Sequence, residues 1–133
     1  MAIAVLVSLG FAMDRGCANG QAGLVAVAAA TTEFHQRFTK REDARIEREA
    51  DPVFRASGTP QSRAEYFERI RQKMGKCAYR GLIGGIVKAT TAGTFVTMRY
   101  EGTCDRGSLD ESFRWRVDDG QANLMSYSAS TRF

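Results

Sequence analysis

The sequence predicts an α+β fold in which N-terminal helices pack on a curved four-stranded antiparallel sheet, a meander. Up to Gly75 the apolar residues recur at intervals of three and four, the period of a half-buried helix. Beyond Gly75 apolar and polar residues alternate at intervals of two, the period of a half-buried strand. Helical stretches come first and strands after, the order of an α+β layout. At 133 residues, 44% hydrophobic and 26% charged with 2 prolines, the chain has the composition of one globular domain. There is no internal repeat and no low-complexity segment.

The first 30 residues stand apart. Residues 2–13, AIAVLVSLGFAM, form an apolar run too short to span a bilayer but of the length of a signal-peptide core. Gly10-Phe11-Ala12 and Ala28-Ala29-Ala30 are candidate cleavage sites, although no basic residue precedes the run. The expectation is a leader or membrane-proximal segment over 1–30 and a single folded domain over 31–133, in a bacterial periplasm or cell envelope. Cys17 follows the run as a lipidated cysteine would, but Asp14 and Arg15 stand where a lipobox has small apolar residues.

In the folded part, TTEFHQRF opens a helix, with Thr31 or Thr32 as its cap and Phe34 and Phe38 on one face. A second helical stretch over 41–50 carries Ile46 and Ala50, with Val53 and Phe54 continuing the period, and breaks near Asp51-Pro52. Thr59 then caps a third helix with Pro60 at its first position; Ser62-x-x-Glu65 is an alternative capping box. Ala64, Phe67, Ile70 and Met74 form its buried stripe, and Gly75 sits where a helix ends in a positive-φ residue.

Among the strands, Thr94, Val96, Met98 and Tyr100 share one face, as do Phe113, Trp115 and Val117. Asp105-Arg106-Gly107-Ser108 and Asp118-Asp119-Gly120 are turns. The last strand has two readings: either Ala122 and Leu124 face the core, or Met125, Tyr127 and Ala129 do. Gly81, Gly84 and Gly85 within a strand suggest a bend or bulge.

Cys77 and Cys104 lie near the two ends of one hairpin. With the turn centred between Thr90 and Thr91, Cys77 falls opposite Cys104, Arg80 opposite Glu101 and Ile83 opposite Met98. This predicts a cross-strand disulfide worth about 3.5 kcal/mol in the chain-entropy model. The rival is a pair of free buried thiols. A CxxC motif is absent, and with His35 the two cysteines supply at most three of the four ligands of a structural zinc site, so no metal is expected. A disulfide agrees with export, because such bonds persist in oxidising compartments.

The net charge is +4, and Asp14 and Arg15 cancel, so the whole excess lies beyond residue 30. In KREDARIERE, over 40–49, acids and bases alternate at helical spacing (Glu42–Arg45, Arg45–Glu49), the pattern of a solvated helix face. Nucleic acid is therefore not an expected partner.

Five segments, FHQRF, ADPVFRAS, EYFERIRQKMG, GTFVTMRYEGTC and ESFRWRVDDGQANLMSYS, resemble in pattern and order bacterial exported proteins of the cystatin-like or nuclear-transport-factor-2-like (cone) superfamily, over roughly residues 33–130. The resemblance implies helices packed into the concave face of a bent antiparallel sheet, and a homodimer as a common state. The matching group has no settled activity and assigns no catalytic residue. Some cone-fold relatives are small isomerases or dehydratases with an acid or His in the cone. The corresponding candidates are His35, Asp51, Tyr66, Tyr100, Glu111 and Trp115, with His35, Tyr100, Glu111 and Trp115 as cavity-lining residues. The leading expectation is a non-enzymatic module, without cofactor, that offers its sheet or a shallow cavity to a protein or a small apolar ligand. The second is a small lyase or isomerase. A buried ionisable group at the base of a cavity favours the enzyme; a closed cone filled by Phe, Met and Trp favours the module. Basic residues gathered on one strand face, such as Arg99, Arg114 and Arg116, would suggest an acidic partner such as anionic lipid or polymer.

Overall fold

The computed structural model describes residues 23–133, and of residues 80–83 the backbone only. The apolar run 2–13, the Gly10-Phe11-Ala12 site and Cys17 lie outside the described residues. Helix α1 covers 23–39, followed by α2 (Asp43–Glu49), α3 (Pro52–Ala56) and α4 (Pro60–Met74). The strands are β1 (Cys77–Thr90), β2 (Gly93–Cys104), β3 (Gly107–Asp118) and β4 (Gln121–Arg132). They form one antiparallel sheet in the order β1-β2-β3-β4, a meander, and the helices cover one of its faces.

Helix α1 corrects the expected cap. Thr31 and Thr32 are interior residues whose hydroxyls donate to the carbonyls of Val27 (2.8 Å) and Ala28 (3.1 Å), four residues back. The alanine-rich stretch 26–30 propagates the helix upstream, because alanine has the highest helix propensity. The buried stripe runs Gly23, Val27, Thr31, Phe34, Phe38, with Val27 at 0% exposure. The helix is thus continuous across residue 30, and severing it after Ala30 would remove Val27 from the core.

Asp51 breaks the next helical stretch in the expected place. Its carboxylate accepts the Val53 N–H and caps α3, with Pro52 at the first position. Helix α4 opens on the Thr59–Ser62 box, the two side chains capping each other's backbone N–H, and not on Ser62–Glu65. Phe67, Ile70 and Met74 are buried as the periodicity requires, whereas Val53 is exposed. Gly75 ends α4 with φ +77°; a Cβ there would lie 2.7 Å from the Asp105 carboxylate. That carboxylate accepts the Lys76 N–H, and Asp105 N–H donates back to the Lys76 carbonyl.

The β1–β2 hairpin keeps the expected register only at its base. Cys77, Ala78 and Tyr79 face Cys104, Thr103 and Gly102. Two register shifts between Tyr79 and Gly84 then put two extra residues into β1, which has 14 residues against 12 in β2. Met98 consequently faces Gly85 and not Ile83, Arg80 falls inside the first bulge with no Cα partner opposite, and the turn moves to Thr91-Ala92. The shifts occur in the glycine-bearing stretch 81–85. The cysteines are joined, with Cα atoms 3.9 Å apart.

Both readings of β4 are realised. Trp115 faces Leu124 while Arg114 faces Ser126, so Met125 is a bulge residue. Ala122 and Leu124 face the core before it, Tyr127 and Ala129 after it, and Met125 is itself buried. Asp119 (φ +48°) and Gly120 (φ +74°) form the tight turn that enters β4.

Candidate functional site

Glu111 takes the inward parity of Phe113 and Trp115 and sits in the middle of β3, between Tyr100 of β2 and Ala129 of β4. Only 1% of it is exposed. A carboxylate in such a place must be hydrogen-bonded, since an unpaired buried charge is prohibitive. The Tyr127 hydroxyl donates to one oxygen at 2.6 Å, and the His35 Nε2–H donates to the other at 2.7 Å. His35 reaches Glu111 from α1 because it follows Phe34, at the rim of the buried stripe. Its ring lies flat on Tyr79 (centroids 3.5 Å apart, 9° between planes) and meets the edges of Tyr100 and Phe113.

Three phenols surround the carboxylate and all resist ionisation. Burial is the first cause in each, and the Glu111 charge adds to it: Tyr127 and Tyr79 are raised well above the ordinary tyrosine value, and Tyr100 is raised as well, against a hydrogen bond with Thr31. They remain hydroxyls at any physiological pH.

His35, Tyr100 and Glu111, expected as cavity-lining residues, are thus brought together. Trp115 stacks on Phe113 (5.9 Å, 11°) but lines a separate cleft. Asp51 also lies elsewhere, 3.3 Å from Arg116. The Tyr66 hydroxyl receives the Ala129 N–H (2.9 Å) and ties α4 to β4. Tyr79 was not legible as a member of the site. Its one sequence cue is Gly102 directly opposite, the small residue over which its ring lies. Among the described residues no group of three or more His, Cys, Asp or Glu side chains could hold a metal.

A His–Glu pair beside a tyrosine has the parts of an acid–base relay, but both carboxylate oxygens are taken by protein donors. Neither the cleft between α1 and the β3–β4 hairpin nor the smaller cavity between α2 and α4 is lined by His35, Glu111 or Tyr127. Phe34, Phe38, Phe67 and Phe113, packed mostly edge to face on one another, surround the Tyr127 ring that donates to the carboxylate.

The larger cavity is an open cleft of about 810 Å³ bounded by α1, the 46–55 segment and the β3–β4 hairpin. Ala26, Ala30 and Phe34 form one wall, and Trp115, Ala122 and Leu124 another. The Asp51 N–H donates to the Leu124 carbonyl (2.9 Å) and Asn123 donates to the Glu49 carbonyl (3.1 Å), which ties the 46–55 segment to the β3–β4 hairpin. Its charged residues are mostly paired, Arg37 with Glu49 and Glu33, and Arg116 with Asp51. The Trp115 indole N–H is different: it is buried and has no acceptor among the described residues. A smaller cavity of about 340 Å³ lies between α2 and α4, bridged by the Arg63–Glu47 ion pair.

No family model, curated protein or solved structure matches the chain. No described helix is long and apolar enough to cross a membrane.

Proposed function

We propose that the protein is a small exported binding module, not an enzyme, that takes a largely apolar ligand in the cleft between α1 and the β3–β4 hairpin. The observation that carries this reading is the cleft itself, in which apolar side chains of α1 and of the β3–β4 hairpin, Trp115 among them, stand within a charged rim. Helices on one face of an antiparallel meander agree with a cone-type fold, and the filled aromatic core favours a module over a catalyst.

The Cys77–Cys104 bond and the apolar run 2–13 support export to the periplasm or envelope. On this reading the continuity of α1 from Gly23 favours leader cleavage upstream of Gly23 over cleavage after Ala30.

The reading as a small lyase or isomerase draws on one observation, the buried Glu111 with His35 and Tyr127. It requires a substrate to reach a carboxylate whose two oxygens are already engaged.

Trp115 is the only tryptophan of the chain and reports directly on the cleft. Titration with the dye 1-anilinonaphthalene-8-sulfonate should give saturable energy transfer from Trp115 at one dye per chain. Ala29→Phe, at an exposed position on the cleft wall, should weaken it at least tenfold. Transfer that does not saturate, or that ignores this substitution, would remove the cleft as a binding site.

A further inference from the structure

The strand register places a cationic patch on the face of the sheet opposite the helices. Three consecutive rows cross that face: Lys88, Phe95, Arg116 and Asn123; Ile86, Thr97, Arg114 and Ser126; Gly84, Arg99, Ser112 and Ser128. They hold four cations and no carboxylate. Asp51 reaches Arg116 from α3, but among the described residues Lys88, Arg99 and Arg114 have no carboxylate partner. The next row on one side holds Glu101 and Asp110, both bridged by Arg132, and beyond Arg116 on the other side stands the exposed Asp118.

Phe95 organises the patch. The guanidinium groups of Arg114 and Arg116 lie 5.6 Å and 5.4 Å from its ring centre, which holds both over the sheet. Strands about 4.8 Å apart, with alternate residues about 7 Å apart, keep the four cations within the span of a few lipid headgroups. Thr97, Ser126 and Ser128 are exposed between them. In the same rows stands Ile86, 72% exposed, on an edge strand.

We propose that this face docks on an anionic lipid membrane. Charge complementarity selects a polyanionic partner, and Ile86 selects a bilayer, since a soluble polyanion offers nothing to an exposed branched alkyl group. The guanidinium and ammonium groups contact lipid phosphates while the Ile86 side chain enters the headgroup boundary. The cleft shares Arg116 and Asn123 with this face, but Ile86, Lys88, Arg99 and Arg114 lie outside it, so the proposal is tested without altering the cleft.

The test is flotation of the full oxidised chain with phosphatidylcholine vesicles, with and without phosphatidylglycerol, at low and high salt. Binding should require phosphatidylglycerol and fall with salt. Each cation removed should weaken it about fivefold, so Arg99→Gln with Arg114→Gln should weaken it about 25-fold, and Ile86→Ser should weaken it further. Should that pair disturb folding, judged by circular dichroism, Lys88→Gln on the exposed edge gives the same test at about fivefold. Charge variants that float like the unaltered chain overturn the proposal and assign any binding to the apolar run 2–13. Binding to heparin with the same arginine dependence but not to vesicles overturns it in favour of a soluble polyanion. Absence of binding to either overturns it outright.

Discussion

The two ends of the β1–β2 hairpin are built on opposite principles. At the base, Cys77 is bonded to Cys104, Tyr79 lies between His35 and Gly102, and Asp105 locks the corner between α4 and β1. The Arg106 side chain donates to the carbonyls of Gln72 and Lys73 at the end of α4, which satisfies acceptors a helix terminus leaves free. Toward the tip, residues 84–90 are all exposed. One strand thus passes from a covalently closed, multiply bonded corner to an open edge, and two bulges mark the transition. Stability is concentrated where β1 meets the helices, and the exposed edge is free to carry an interaction.

That contrast can be broken from the base. Replacing both Cys77 and Cys104 by Ser should lower stability by about 3.5 kcal/mol, a fall in melting temperature of roughly 15 °C, measured by thermal unfolding without reductant. An unchanged melting point would mean that the hydrogen-bonded corner suffices without the bond.

A smaller effect is expected from Glu111→Ala, which strands the His35 and Tyr127 donors in the core. The expected loss is about 2 kcal/mol by denaturant titration. Glu111→Ala with Tyr127→Phe should recover part of it by removing a stranded donor. A loss within experimental error would show that the buried network contributes nothing to holding α1 on the sheet.

Smaller still is the part played by Glu68, in the middle of α4. Hydrogen bonds from Arg41 and Arg71 hold its carboxyl at about 2, against an ordinary 4.5. A lowered carboxylate value stabilises the fold above the unfolded value, and that contribution disappears as pH falls through the folded one. The stability difference between the unaltered chain and Glu68→Gln should therefore be constant above about pH 5 and vanish as pH approaches 2. Arg41 is exposed and Glu68 partly so, so the difference is small and should shrink further in salt.

At the tip, Ile86→Ser should change stability by less than about 0.5 kcal/mol, because the side chain packs on little. A larger loss would show that the tip belongs to the cooperative unit and would end the contrast with the base.

Much of the architecture was legible because it follows from local rules. The Thr59-Pro60 start, the Asp51-Pro52 break, Gly75 and the Asp-Asp-Gly turn are decided by residues within a few positions of one another. The Cys77–Cys104 pairing was correctly inferred from a register that holds only at the base of the hairpin. It survived because both bulges lie beyond Tyr79, on the far side of the cysteines. The start of α1 was misplaced because an apolar, alanine-rich stretch suits a leader and a buried helix equally well, and only the packing of Val27 separates them. The Glu111 site was half visible. Its inward parity could be read, but its partners come from α1, β1 and β4, and nothing along the chain links position 111 to 35, 79 or 127.

The sequence alone determined the order of helices and strands, the faces of β2 and β3, and the disulfide, because hydrophobic period, turn chemistry and cross-strand opposition are properties of neighbouring or directly paired residues. Tertiary structure decided the bulge at Met125 that lets both halves of β4 face the core. It also decided that Glu111 is sealed in the aromatic layer, and that Lys88 and Ile86 join Arg99 and Arg114 on one open face. Each of these depends on where separate elements meet in space, which strand register and packing set together and which no local pattern records.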